Sequence, residues 1–517
     1  MSWQFLSYIT SNPLSGSLFR TIFLGWISYI VFLYIYRLYF SPLARFPGPK
    51  LAAISAWYEA YYEIVLQGRY SFKIAKLHDV YGPIIRVTPD ELHIRDSDFF
   101  DSVYTGNTKI DKPGWDAKFG VIDATFTTPD GALHRKRRAA LNPFFSRRSI
   151  QNFEPTVREY VDLLCQRLSE FAGNSQPMVI SDVYPAFTGD IIMNYAFGFC
   201  YNQLQSPNFD SFHEAYLALG LPGHINGQFP WFGALVNSIP DRYVEKIQPA
   251  TASLLRLKRD LWDLVGDTIR TENQPSSDKL TSTPTIFHGV LHSDLSPSDK
   301  QQARLTDEAV IVVGAGIETT GYALTVGTFH IANTPHIYDR LHGELVTAFP
   351  DPNTIPNLLD LEKLPYLKAC IQESLRLSYG LSARNPRRHA RDLRYKGWTI
   401  PAHTTVSMTV SNVHHDEEIF PDSHAFVPER WLGDPRTGDG TPLERYLVAF
   451  GRGPRICLGM NLAWAELFFA MGMIFRRFEL KLYETDVTDV KYKHDFFTPR
   501  VKSGSKGVRV IVSENLS

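Results

Sequence analysis

The ten residues Phe450-Gly451-Arg452-Gly453-Pro454-Arg455-Ile456-Cys457-Leu458-Gly459 constrain this chain more than any other stretch. Three glycines and a proline specify a tight loop whose backbone can lie close to a bulky partner. The apolar run over 462–478 reads as a helix beginning just after the cysteine. A thiol at a helix N-terminus beside Arg452 and Arg455 is biased toward thiolate. Zinc would need further Cys or His ligands at short spacing, whereas His414, His415 and His424 lie more than thirty residues upstream. A phosphatase-like loop would need an arginine six residues after the cysteine, where Ala463 stands. Two readings remain. One is a buried structural cysteine; the other is a single thiolate ligand for a metal whose remaining positions come from a prosthetic group, with haem the obvious case.

The string fits F-x-x-G-x-R-x-C-x-G at Phe450, Gly453, Arg455, Cys457 and Gly459, and it resembles the haem-thiolate loop of the cytochrome P-450 family. The resemblance implies haem b (iron protoporphyrin IX) with an axial cysteine thiolate. Cys457 would be the proximal iron ligand, with Phe450 packed near its sulfur and Arg455 paired with a haem propionate. Gly451 and Gly459 would let the loop approach the ring. It also implies the cytochrome P-450 fold, a mainly α-helical prism around haem with a smaller β region.

Residues 306–333 read as one long helix, with Asp307 and Glu308 in its first turn and Pro335 ending it. Gly314, Gly316 and Gly321 lie in its middle, each costing about 1 kcal/mol against alanine, beside Glu318, Thr319 and Thr320. Either the glycines form a packing notch for a crossing helix, or the helix is loosened so that its backbone approaches a ligand while Glu318 and Thr319 handle protons. The run 315–320 resembles the family's (A/G)-G-x-(D/E)-T oxygen-activation motif, which implies catalytic roles for Thr319 and Glu318.

Residues 364–377 read as another helix, with Glu373 and Arg376 three apart on one face. Alone, this is an ordinary surface ion pair. With Phe426-Val427-Pro428-Glu429-Arg430-Trp431 downstream it resembles the family's E-x-x-R and P-E-R segments, implying a buried structural triad of Glu373, Arg376 and Arg430. The helix after Pro129 carries His134, Arg135, Lys136, Arg137 and Arg138, a run that composition alone would assign to a solvated face. The family has W-x-x-x-R here. Arg138 matches, and His134 replaces the tryptophan, so both are implied as propionate donors. One arginine within 384–388 is implied as another. Arg445, Arg452 and the remaining basic residues would give the thiolate side a positive surface for an acidic electron donor.

A chain of 517 residues with no Ser/Gly/Pro-rich divider fits one large catalytic domain over 46–517, preceded by a membrane anchor and its flank over 1–45. Residues 21–36 are uncharged, and with their apolar flanks they reach roughly 20 residues, enough for about 30 Å of hydrocarbon. Trp26, Tyr29, Tyr34, Tyr36 and Tyr39 suit the interfaces of a retained transmembrane helix, and no small-residue cleavage site follows it. Arg37, Arg45 and Lys50 follow the span while only Arg20 precedes it, which places the domain in the cytosol. For the family, that means the endoplasmic reticulum membrane. Net charge −1 without basic clustering excludes nucleic acid as a partner, and four scattered cysteines (165, 200, 370 and 457) exclude a disulfide framework.

Further expectations concern local structure. They are a β-hairpin over 81–94, an irregular break at 220–227 serving as an access lid, and a loop over 112–128 with Trp115, Phe119 and Phe126 above the substrate. A substrate-contacting turn is expected at 496–498, and a surface loop over 273–298. Residues 53–66 read either as a membrane-lying helix or as an aromatic core helix.

The function implied by the resemblance is a haem-thiolate monooxygenase that hydroxylates or epoxidises a small apolar molecule with O2. Electrons would come from NADPH through NADPH-cytochrome P-450 reductase, with cytochrome b5 as a second donor. The segment 133–146 is similar to fungal members of secondary metabolism, including the trichodiene oxygenase group, which points to a terpenoid or polyketide intermediate. The alternatives are a sterol or fatty-acid hydroxylase, a haem-thiolate isomerase or dehydratase, and a non-catalytic haem sensor or lipid carrier.

Overall fold

A computed structural model describes residues 13–106, 109–115, 118, 120–173, 176–247, 249, 252–272 and 285–515. Phe119 and the first part of the 273–298 loop lie outside the described residues. The helices that build the site are α1 (Pro13–Ile35), α2 (Gly131–Leu141), α3 (Ile180–Phe197), α4 (His213–Ala218), α5 (Gly220–Gln228), α6 (Gln302–Ala332), α7 (Pro365–Ser378) and α8 (Met460–Arg477). α6 is the axis, with α3, α7 and α8 packed on it. Both α1 and α6 are apolar and long enough to cross a membrane, but burial separates them. Of the most apolar window, 72% is buried in α6 and none in Ser17–Phe40. α6 is therefore a core helix, and α1 with its continuation is the candidate span.

The β region is small. β1 (Ile84–Thr88) and β2 (Glu91–Ile94) form the expected hairpin, with a bulge between Arg86 and Thr88. β2 then runs parallel to β8 (Thr405–Ser407), and β5 (Arg387–His389) and β3 (Ile110–Asp111) complete a sheet in the order β1-β2-β8-β5-β3. β4 (Met178–Val179), β12 (Arg509–Glu514) and β9 (Phe478–Leu482) form a second sheet. β6 (Leu393–Tyr395) with β7 (Trp398–Ile400) and β10 (His494–Phe496) with β11 (Thr498–Arg500) are hairpins. The second of these turns at Phe497, where φ is +77°. Because β5 and β3 lie together, the loop after β3, helix α2 and the cysteine loop share one end of the molecule.

One local expectation is corrected. Residues 220–227 are helical in α5, because their glycines serve close packing. A Cβ at Gly220 would come within 2.8 Å of the Phe496 ring, and one at Gly227 within 3.1 Å of the Lys118 side chain. The 53–66 segment is helical over Trp57–Ala60 and Tyr61–Val65, as expected, and divides its aromatics between surface and core. Trp57 and Tyr61 are exposed, while Tyr58 and Tyr62 pack on buried Tyr70.

A buried histidine pair ties the β1–β2 hairpin to the helix before it. His78 Nδ1 donates to the Gly82 carbonyl at 2.8 Å, its Nε2 lies 2.7 Å from His93 Nδ1, and His93 Nε2 lies 2.8 Å from the Thr409 hydroxyl. Burial favours the neutral form of both rings in this chain of bonds. Burial pushes His78 down to about 4 from an ordinary 6.5. The folded state therefore holds His78 neutral where the unfolded chain is protonated, so the contribution to stability is complete above pH 6.5 and is lost as pH falls toward 4. Thermal unfolding from pH 7.5 to 4.5 should show this loss, about 2 to 3 kcal/mol for the one group, and His78→Gln should flatten that slope.

Candidate active site

The cysteine loop closes on itself. Cys457 N–H donates to the Phe450 carbonyl at 2.9 Å, Gly451 N–H to the Val448 carbonyl at 2.8 Å, and α8 begins at Met460. Gly453 is required on two counts: its φ is +69°, and a Cβ there would sit 2.0 Å from the Tyr104 carbonyl oxygen. The Phe450 ring lies 6.2 Å from Trp464. Cys457 is exposed by surface area, yet burial pushes its thiol upward, against the Gly459 N–H and Arg138. A side chain both open and enclosed borders internal space. In the protein alone, desolvation at the sulfur outweighs the helix terminus and Arg138. Arg452 contributes nothing at the sulfur, since it donates to the Arg445 carbonyl at 2.7 Å and lies 3.9 Å from Asp101.

Around this opening five nitrogenous side chains gather from four parts of the chain. His134 and Arg138 come from α2, Arg387 from β5, Arg455 from the cysteine loop, and Lys112 from the residue after β3. Burial pushes Arg455 down to about 9 and Arg387 to about 10. Lys112 is pushed well below its ordinary range by burial, then by Arg455 and Arg387. His134 is pushed to about 2 by burial and by all four cations, so it is a neutral ring among them. Lys112 Nζ sits 3.6 Å from the Phe126 ring centroid and 4.4 Å from that of Trp115. Arg455 is oriented by the Thr128 and Pro129 carbonyls, at 2.7 and 3.1 Å. Among the described residues, none of the four cations has a carboxylate at ion-pair distance. Buried cations without counter-charge are costly, and this cluster fits a group that brings two carboxylates of its own beside a sulfur ligand. A haem does both.

The arginine left open within 384–388 is resolved by its neighbours. Arg384 pairs with Glu59 and Glu91, and Arg388 donates to the Thr405 hydroxyl at 3.2 Å, which leaves Arg387 in the cluster. The basic run of α2 is likewise divided. Arg137 is buried against Asp299 and Asp123, at 2.8 and 3.0 Å, while Arg135 and Lys136 are exposed.

In the middle of α6, Ala315 is exposed and Thr319 half-buried, while Gly314, Ile317, Glu318 and Thr320 are buried. The Thr319 hydroxyl donates to the Ala315 carbonyl at 2.9 Å. The expectation of a loosened helix is corrected, since α6 runs unbroken from Gln302 to Ala332. Its glycines are the packing notch. A Cβ at Gly314 would lie 2.3 Å from the Tyr216 ring of α4, one at Gly316 2.7 Å from Ile192, and one at Gly321 3.2 Å from Pro185, both of α3. Glu318 is held by His213 Nδ1 at 2.6 Å and Arg500 Nη1 at 3.1 Å. Burial would raise its carboxyl, but His213 and Arg500 override that and hold it below its ordinary range.

Under the loop, Glu373 and Arg376 are fully buried. The carboxylate accepts from Arg376 Nε and Nη2 at 2.8 and 2.7 Å, Arg430 Nε at 3.1 Å, Val427 N–H at 2.9 Å and Trp431 Nε1 at 2.9 Å. The three expected members do meet, and two donors join them that sequence reasoning missed. His414, also missed, links the triad to the loop. Its Nδ1 donates to the Arg376 carbonyl at 2.7 Å, and its Nε2 accepts from Val448 N–H at 3.0 Å. Only its nearness to the proline-rich P-E-R segment could have signalled it.

Glu373→Ala leaves Arg376 buried without a counter-charge, at a cost of about 3 to 5 kcal/mol. Little soluble protein and no haem-containing protein should be recovered, read by thermal unfolding and by visible absorbance. Arg430→Lys, which keeps the charge but loses the planar donor, should fall in between.

A family model described as Cytochrome P-450 matches residues 63–504. The Cytochrome P-450 monooxygenase sdnE of Sordaria araneosa is 44% identical over 511 residues, covering 97% of this chain and 99% of its own. The Tryptophan 6-hydroxylase fscE of Fusarium equiseti is 40% identical over 506 residues, with 97% of each chain covered. The N-acetyltryptophan 6-hydroxylase ivoC of Emericella nidulans is 36% identical over 488 residues, covering 93% and 94%.

Proposed function

This chain belongs to the cytochrome P-450 family, and from that premise we propose that Cys457, Thr319 and the buried cations between α2 and β5 form its oxygenation site. It is a monooxygenase, and its relatives fit a place in secondary-metabolite biosynthesis. The observation that carries the site is the convergence of Arg138, Arg387, Arg455 and Lys112, without counter-charge, beside the open sulfur of Cys457. Haem b, ligated by a cysteine thiolate, supplies the activation of O2 in this family and the insertion of one oxygen atom into the substrate.

The protein's own part follows from its residues. Cys457 Sγ binds the metal, and the Gly459 N–H steadies the sulfur. Arg455, Arg387, Arg138 and Lys112 hold the propionates, and the neutral His134 donates one N–H in the place where the family more often has tryptophan. Phe450 and Gly451 shape the loop beneath. Thr319 holds its proton at Oγ1 in the middle of α6, where the hydroxyl donates to the Ala315 carbonyl. Glu318, ionised at rest between His213 and Arg500, takes a proton from His213 Nδ1 at 2.6 Å and passes it toward Thr319 from the α4 side. Glu373, Arg376 and Arg430 stay structural.

The enzyme uses a redox partner. We assign that role to NADPH-cytochrome P-450 reductase, docking on the face that carries Arg147, Arg445 and Arg452. Residues 1–45 are read as anchor and flank and 46–517 as the catalytic domain, on the cytosolic side of the endoplasmic reticulum.

Expression with such a reductase should give NADPH-dependent addition of one oxygen atom to a substrate, read by mass spectrometry. Turnover without NADPH or O2 would replace this reading with an isomerase or dehydratase. Thr319→Ala should keep its haem and its rate of NADPH oxidation while product per NADPH falls about tenfold or more, with hydrogen peroxide making up the difference. Cys457→Ser should fold, as judged by circular dichroism, yet lose the thiolate-type spectrum of the reduced carbonyl complex.

A further inference from the structure

Three segments marked in the sequence for specificity meet in one chamber. Trp115 and Lys118 from the 112–128 loop, His224 and Gly227 from α5, and Asp495 beside the 496–498 turn line a cavity of about 580 Å³. Ile30, Leu33 and Tyr34 of α1 close one side, so the chamber lies where the chain leaves its apolar span. Trp115 links it to the cation cluster, since its ring lies 5.4 Å from Phe126 and 5.1 Å from Phe497, and Lys112 sits over it.

The charges of this chamber do not balance. Five carboxylates line it (Glu59, Glu63, Asp90, Glu91 and Asp495) against three cations (Arg37, Lys118 and Arg384), an excess of two. Most of the carboxylates near its floor are satisfied. Glu59 and Glu91 pair with Arg384, and the Asp495 carboxylate accepts from the Ser71 and Ser382 hydroxyls and from Phe497 N–H. Glu63 is not. It is 4% exposed, and its Oε2 has no donor. His224 Nε2 lies 3.5 Å away, but its hydrogen goes to the Asp495 carbonyl at 2.6 Å. A buried carboxylate without a donor is expensive. Aromatic rings stand beside it, with Trp57 and Phe229 5.4 Å apart on the chamber wall.

We propose that this chamber receives a cationic nitrogen of the substrate, a protonated amine on an aromatic body, with Glu63 Oε2 accepting from its N–H and Trp57, Phe229 and Trp115 against its ring. The inference rests on the monooxygenase reading and narrows its substrate class. An ammonium brings both the missing donor and one of the missing positive charges, and aromatic faces favour such cations. A carboxylate-bearing molecule would add to that excess of negative charge, and a wholly apolar one would leave Glu63 as it stands. Burial and then Asp495 push the Glu63 carboxyl well above its ordinary range, so without a cation it favours its protonated form, and an ammonium at Oε2 would draw it to the carboxylate.

The test is binding to the full-length, haem-loaded enzyme at pH 7, by equilibrium dialysis, with no NADPH and no reductase. The probes are tryptamine, its neutral isostere 3-propylindole and the anion indole-3-propionate. Tryptamine should bind about tenfold or more tightly than either, and Glu63→Gln should bring it to the level of 3-propylindole. Equal binding of all three, tightest binding of the anion, or a tryptamine preference that survives Glu63→Gln would overturn the proposal. The wild-type series stands whether or not the variant folds. Oxygen insertion has its own assay, so failure of the binding preference and failure of the monooxygenase reading give different results.

Discussion

Buried charge organises this molecule. Moving an ion out of water is costly unless a partner or a dense set of hydrogen bonds goes with it, and each functional region here answers that cost differently. Glu373 is satisfied by five donors and Arg376 by three backbone carbonyls as well as Glu373, so this pair acts as a fixed pillar. Glu318 is balanced by His213 and Arg500, so it stays ionised inside the core. The cations Lys112, Arg138, Arg387 and Arg455 have no protein counter-ion among the described residues, and Glu63 has no donor on one oxygen.

The pillar also explains how the cysteine loop keeps its shape. Glycines at positive φ allow the loop to turn but do not select one conformation. Selection comes from outside, through Tyr104 against Gly453 and through His414 between the Arg376 carbonyl and Val448 N–H. His414 is buried and neutral, pushed down to about 3 by burial and then by Arg376, so its single hydrogen is fixed on Nδ1. Positioning the sulfur thus depends on side chains that never approach it. A related division holds in α6, where glycines admit α3 and α4 while Ala315 and Thr319 stay partly open. Packing and chemistry share one helix through different residues.

Much of this was legible in the chain. The cysteine loop, the Glu318–Thr319 run, the Glu373–Arg376 spacing, the β1–β2 hairpin and the apolar N-terminal helix all carry local signals, because turn glycines, helical spacing and apolar length act within a few residues of themselves. What was not legible depends on distant partners. Arg387 could not be chosen over Arg384 or Arg388 until Glu59, Glu91 and Thr405 were seen to occupy the other two. Lys112 carried no motif, and its place over Phe126 and Trp115 exists only once the loop is folded back. The glycines of 220–227 looked like breakers because glycine disfavours helix, yet contacts with Phe496 and Lys118 reverse that preference.

The sequence by itself determined the family resemblance, the order of the motifs and the long core helix, since each is written in contiguous residues whose spacing has a direct physical meaning. Tertiary structure alone decided which faces are open and which charges are answered. It turned the α6 glycines into a notch, raised the Cys457 thiol where the local sequence argued for lowering it, and brought Glu63, His224 and Asp495 into one chamber. The reason is that burial and electrostatic pairing are properties of neighbours in space. A chain can state what a residue is, but desolvation and counter-charge depend on what the rest of the fold puts beside it.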